Sequence, residues 1–173
     1  MNSSKPADHL RASARAVVEA LGLAPHPEGG HFVETFRSPL AVGSAAHPSE
    51  RSASTAIYFM LATGEFSAFH RVRSDEVWHH YAGDVLELHS IDANGAHLRR
   101  LLGTDIVWGE RPQIVIPAGV WQAARPLPGN AGYVLVGCTV APGFEFADFE
   151  MPERDALVRE FPEHRALIES LTR

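Results

Sequence analysis

The feature that most limits what this chain can become is a series of short β segments, uninterrupted by any helical period, between about residues 31 and 140. After the alternating stretch HFVETFRS come STAIYFML, EFSAFHRV, EVWHHYA, VLELHSI, HLRRLL, QIVIP, VWQAA and YVLVGCTV, divided by turn residues. Closely spaced strands of this kind argue for a β-sandwich or barrel, and the pattern alone does not choose between them. Asn94-Gly95 is a hairpin signal, because both residues tolerate positive φ. Ile116-Pro117-Ala118-Gly119 fits a type I turn, with proline presetting φ at the second position.

Helical spacing is confined to the two ends. Leu10, Ala14, Val17, Val18 and Leu21 predict an N-terminal helix over about residues 7–21, with Asp8 in its first turn and Gly22 placed to end it. Pro152 and Pro162 each suit a first helical turn, so one or two short C-terminal helices are expected over about residues 152–171. With a barrel over about residues 31–150, the 173 residues are expected to form a single domain, being enough for one good core and short for two. Residues 38–52, SPLAVGSAAHPSERS, read as the most mobile loop.

Charge narrows the partners. Fifteen basic against 21 acidic residues give a net charge of -6, which opposes the phosphate attraction that non-specific nucleic-acid binding needs. Lys5 is the only lysine, and no basic patch exists. Glu19 interrupts the apolar stretch near the N-terminus, and nothing approaches a membrane span of roughly 18 apolar residues. A cytoplasmic protein without a signal peptide, nucleic-acid partner or membrane partner is therefore expected. The one cysteine, Cys138, excludes an internal disulfide and sits in an apolar run that reads as core.

Strand alternation points to a site. Glu76, Trp78 and His80 fall on one face of EVWHHYA, while Val77, His79 and Tyr81 take the other. On the preceding run Phe66, Ala68, His70 and Val72 share a face, and Ser67 alternates away. The expected pocket contains Phe66, His70, Glu76, Trp78, His80 and Gln122, an aromatic lining with a few convergent polar groups. Two histidines and a carboxylate on facing strands are costly to bury without a purpose or full pairing. Tyr58 joins as a ligand-binding candidate whose strand register is open. The glycines of HPEGG, residues 26–30, serve backbone geometry first, with Glu28 or His31 the weaker candidate for the barrel mouth. Arg37 is expected in an exposed salt bridge, with an anionic ligand group as its alternative partner.

Gly64, His70, Glu76 and Gly83 fall at the spacing of the first signature of the cupin superfamily, with Val72 in place of its second histidine. Pro117 to Gln122 resembles the second signature, with Gln122 in the histidine position. Over roughly residues 10–155 the chain resembles a small cupin family that carries, in order, segments like LGLAPHPEGGHFVETFRS, STAIYFML, SAFHRVRSDEVWHHYAGD, PAGVWQAA and GCTVAPGFEFADFE. The resemblance implies an all-β, RmlC-like jelly-roll barrel, the cupin double-stranded β-helix, usually paired into a homodimer.

Three functions suit these residues. In the first, a metal-free acid/base enzyme of epimerase or isomerase type acts on a sugar- or carbonyl-type substrate. Its catalytic residues are His70, Glu76 and His80, a tyrosine returns the proton, and Phe66, Trp78, Gln122 and Tyr58 bind the ligand. In the second, His70, Glu76 and either His80 or Gln122 hold a divalent metal. In the third the barrel only binds or senses a small ligand. No cofactor is expected beyond a weakly bound divalent metal, because valine and glutamine replace two donors.

Overall fold

The computed structural model describes residues 6–173, with side chains from Ser13 onward, so Lys5 and the side chains of Asp8 and Leu10 lie outside the described residues. Helix α1 (Pro6–Leu21) leads into strands β1 (Ala24–Pro25), β2 (His31–Arg37), β3 (Ala41–Val42), β4 (Arg51–Ser52) and β5 (Thr55–Ala62). Strands β6 (Ser67–Val72), β7 (Asp75–Gly83), β8 (Leu86–Ile91), β9 (His97–Leu102) and β10 (Gln113–Ile116) follow. Then come β11 (Trp121–Pro126), β12 (Tyr133–Ala141), β13 (Phe149–Glu150), α2 (Arg154–Glu160) and α3 (Arg165–Ser170). Among the described residues no helix interrupts residues 54–140, and none is long and apolar enough to cross a membrane.

The strands form a jelly roll of two antiparallel sheets, ordered β1-β2-β5-β12-β7-β10 and β13-β6-β11-β8-β9, with β3-β4 as a separate ribbon. Alternate residues of both sheets meet between them. Phe59, Trp78, Ile114 and Val136 of the first pack on Leu86, Leu88, Leu102 and Ala124 of the second. Each sheet is also covered outside. Ala14, Val17, Val18 and Leu21 of α1 lie on Tyr58, Met60, Tyr133 and Leu135. Leu157, Val158, Phe161 and Ile168, near the C-terminus, lie on Phe69, Ile91, Trp121 and Ala123. Several strands are consequently buried on both faces; all six residues of β8 are buried.

The hairpin at Asn94-Gly95 forms, but only Gly95 has positive φ, at 79°. Asp92 Oδ1 accepts from the backbone N–H groups of Asn94 and Ala96, at 2.8 and 2.9 Å, and holds a longer loop than a two-residue turn. The proline turn is displaced by one residue from its expected position. Val120 N–H donates to Pro117 O at 3.2 Å, and Gly119 stands third with φ of 76°, as a type II turn requires. The stretch 38–52, expected to be the loosest, is tied down. Arg51 is buried and donates twice to Asp148, at 2.6 and 3.0 Å, and His47 Nε2 meets Ser74 Oγ at 3.0 Å.

Candidate functional site

A cavity of about 90 Å³ opens at the barrel end where β2, β6 and β12 finish and β5 and β7 begin. Phe32, Phe59, Phe144, Phe146 and Phe149 give it aromatic walls, His26, Glu28, His70 and Glu76 supply polar groups, and Glu34, Arg37 and Glu145 are among the other lining residues. The other end of the barrel is filled by Trp78, Leu88, Leu102 and Ile114.

Glu28, from HPEGG, is the centre of this arrangement. Its backbone carbonyl accepts from Ala68 N–H at 2.8 Å, which fixes the loop on β6. The carboxylate is buried, accepts from Ser67 Oγ at 2.8 Å, and lies 3.4 Å from both His26 Nδ1 and His70 Nε2. Two backbone contacts fix the tautomers of these rings. His70 Nδ1 sits 2.8 Å from Ala68 O, an acceptor only, so Nδ1 carries the proton and the Nε2 lone pair faces Glu28. Glu28 N–H donates to His26 Nδ1 at 3.3 Å, so that ring carries its proton on Nε2. Burial pushes the Glu28 carboxyl up to about 8, against the opposing effects of the Ser67 hydroxyl and Arg173. Burial also drives His26 down to about 4, helped by His70, and lowers His70 itself. Near pH 7 the site thus holds a protonated carboxyl beside two neutral imidazoles.

Glu76 is supported from behind. The indole N–H of Trp78 can only donate, so it fixes Gln122 Oε1 toward itself, at 2.9 Å. The Gln122 amide nitrogen then donates to Glu76 Oε2 at 2.5 Å. Burial raises the Glu76 pKa, with His70 pulling the other way, and burial likewise raises the Cys138 thiol in the same wall.

The donors expected for a cupin metal do not fit one here. Val72 forms apolar cavity wall, Gln122 is committed at both ends of its amide, and His80 is not among the lining residues. Among the described residues no group of three or more His, Cys, Asp or Glu side chains is placed to hold a metal ion.

Of the residues expected in the pocket, His70 and Glu76 line it together and the others do not. His80 lies four residues along β7 from Glu76, about 13 Å at strand rise, with Nε2 3.1 Å from Asp84 O. Trp78 faces inward but belongs to the barrel's apolar plug, and Gln122 acts through Glu76. Tyr58 faces outward, under α1 and edge-on to Tyr81 at 5.9 Å. Phe66 packs with the C-terminal helices, because β6 carries a bulge: Gln122 pairs with His70 and Ala124 with Ser67, so one extra residue shifts the alternation. The same shift turns Ser67 toward Glu28. Arg37 keeps its expected salt bridges, to Glu34 at 2.8 Å and Glu145 at 2.7 Å, yet also lines the cavity. Strand alternation and signature spacing do not reach His26 or Glu28, which lie in the loop before β2. The available signal was two ionisable side chains beside a glycine pair in one loop.

A family model described as Cupin superfamily (DUF985) matches residues 15–152. A hypothetical protein from Leishmania major superposes with a TM-score of 0.87 at 35% identity, covering 92% of this chain and 98% of its own. Protein SO0799 from Shewanella oneidensis superposes with a TM-score of 0.83 at 39% identity, covering 92% of this chain and 97% of its own. Oxalate decarboxylase from Bacillus subtilis, with a TM-score of 0.54 at 14% identity over 85% of this chain and 36% of its own, has the same fold.

Proposed function

The chain belongs to the cupin superfamily, in the family described as DUF985, and on that premise we propose that its pocket binds a small molecule and works, without a metal, as an acid/base site on a carbonyl- or sugar-type substrate. The observation that carries this reading is the buried Glu28 carboxyl 3.4 Å from the unprotonated Nε2 of His70, inside a cavity. A general base and a general acid are matched when their environments keep one unprotonated and the other protonated at the working pH.

The chemistry follows from those two atoms. His70 Nε2 takes a proton from the carbon next to a substrate carbonyl, and Glu28 gives its proton to the carbonyl oxygen, leaving a neutral enol between an imidazolium and a carboxylate. The imidazolium then gives its proton to the former carbonyl carbon and the Glu28 carboxylate takes one from the neighbouring hydroxyl, which restores the site and completes an isomerisation. Return of the proton to the original carbon completes an epimerisation once the enol has turned its other face to His70. Glu76 favours the charged form of His70 and so strengthens it as a base. Glu28 is the acid in place of the tyrosine expected from the sequence, since no tyrosine is among the described residues that line the cavity.

Exchange of carbon-bound hydrogen for solvent deuterium, followed by NMR over a set of small ketones, aldoses and hydroxyketones, tests the reading. Exchange should be enzyme-dependent and fall at least about a hundredfold in His70→Gln and in Glu28→Gln, the lower range for a lost acid or base. Exchange that survives both substitutions refutes it.

A further inference from the structure

We propose that the pocket selects an uncharged ligand, a carbonyl or hydroxyl compound with a short apolar flank, and turns away carboxylates, phosphates and sugar nucleotides. The proposal rests on the cavity being the ligand site proposed above, and adds what that ligand's charge must be.

At the mouth the one guanidinium of the lining, that of Arg37, faces the carboxylates of Glu34 and Glu145, while Glu28 deeper in is held protonated and Glu76 is taken up by Gln122, so neither sign of charge is left in excess for a ligand. Arg37 is already spent. Its Nε and Nη2 donate to Glu34 at 3.0 and 2.8 Å, its Nη1 to Glu145 at 2.7 Å, and its Nη2 also to Phe144 O at 3.1 Å. Sites that take carboxylates or phosphates offer free forked donors or helix N-termini, and here an anion would have to break an ion pair to find one. Deeper in, His26 and His70 are both held neutral by burial and supply no compensating charge. An uncharged head hydrogen-bonded to Glu28 or His70 avoids the desolvation cost of an unpaired charge.

Size points the same way. Sites for drug-sized ligands run from about 300 Å³ upward, so a cavity of about 90 Å³ suits a molecule of roughly half a dozen heavy atoms. Its flank would lie on Phe59, Phe144 and Phe149.

Isobutyramide, isobutyrate and isobutylamine share one skeleton and differ in charge, which makes them a direct probe. In protein-detected NMR titrations at pH 7 the amide should shift residues around His70 and bind at least about tenfold more tightly than either ion, roughly 1.4 kcal/mol. Equal or tighter binding of the carboxylate or the amine at this site overturns the proposal while leaving the cavity as a ligand site. If none of the three shifts His70 or its neighbours at millimolar concentration, the cavity is not the ligand site and both readings fall. An independent arm uses the mouth, where the side chains of Glu34 and Glu145 are part-exposed. The double substitution Glu34→Gln with Glu145→Gln frees Arg37 and should raise isobutyrate affinity about tenfold, a gain of roughly 1.4 kcal/mol. No gain in the folded double variant would overturn the role given to Arg37.

Discussion

Burial moves Glu28 and His26 in opposite directions, and their effects on stability have opposite pH limbs. His26, lowered from 6.5 to about 4, adds stability that is complete above pH 6.5 and is lost as the pH falls through 4. Glu28, raised from 4.5 to about 8, adds stability that is complete below pH 4.5 and is lost as the pH rises through 8. Urea unfolding of the parent should therefore lose about 2 kcal/mol between pH 6 and 8 from Glu28 alone, at about 1.4 kcal/mol per pH unit, and Glu28→Gln should flatten that limb. An unchanged alkaline limb would show that Glu28 is not the group responsible. A second residue-scale prediction concerns the two missing histidines. Val72→His with Gln122→His should raise affinity for zinc, manganese or nickel at least about tenfold over the parent, by calorimetric titration. The metal-free double variant should be less stable by about 1–3 kcal/mol, because Trp78 and Glu76 lose their Gln122 partners. At this scale His70 and Glu76 were legible, since signature spacing places them on neighbouring strand ends. Trp78 and His80 were half legible: alternation gives a side chain's face and says nothing of its depth along the barrel. Glu28 and His26 were the least legible, because a loop's docking site depends on contacts distant in sequence.

The strands themselves were readable from turn residues and β runs, and so was the absence of helix between them. What misled was alternation in elements buried on both faces. In β6 the residues from Ser67 to His70 are all buried, with Phe69 under the C-terminal helices and His70 in the cavity, and a bulge breaks the period between them. No polar face remains to mark the outside. The HPEGG loop has a stricter requirement, and it is local. Gly29 has φ of 113°, and a Cβ there would collide with the carbonyl oxygen of Phe66 and the guanidinium of Arg173. Gly29→Ala should destabilise the fold by at least about 2 kcal/mol, combining backbone strain with the clash, as read from the urea midpoint. It should also displace Glu28 and weaken binding of the amide probe. A variant with parental stability and binding would show that the loop tolerates a side chain.

Considered whole, the molecule covers both sheets with helices yet leaves Ile106, Val107 and Trp108 exposed at 61%, 92% and 82% on the turn between β9 and β10. From such a patch, with the half-exposed Val115 on the edge strand β10, we propose the homodimer that the family resemblance implies. Sedimentation equilibrium should give twice the chain mass of 18.9 kDa at micromolar concentration, and a single monomeric species would count against it. The apolar plug behind the cavity has a kinetic consequence. With Trp78, Leu88, Leu102 and Ile114 filling the far end, ligand and displaced water must pass through the same doorway, beside Phe146. Arrival and departure then cross one barrier, so widening the doorway with Phe146→Ala should quicken both, departure more than arrival because one aromatic wall of the cavity is lost with it. The barrel is a bottle with one neck, and its neck governs how long a guest stays without deciding which guest is preferred.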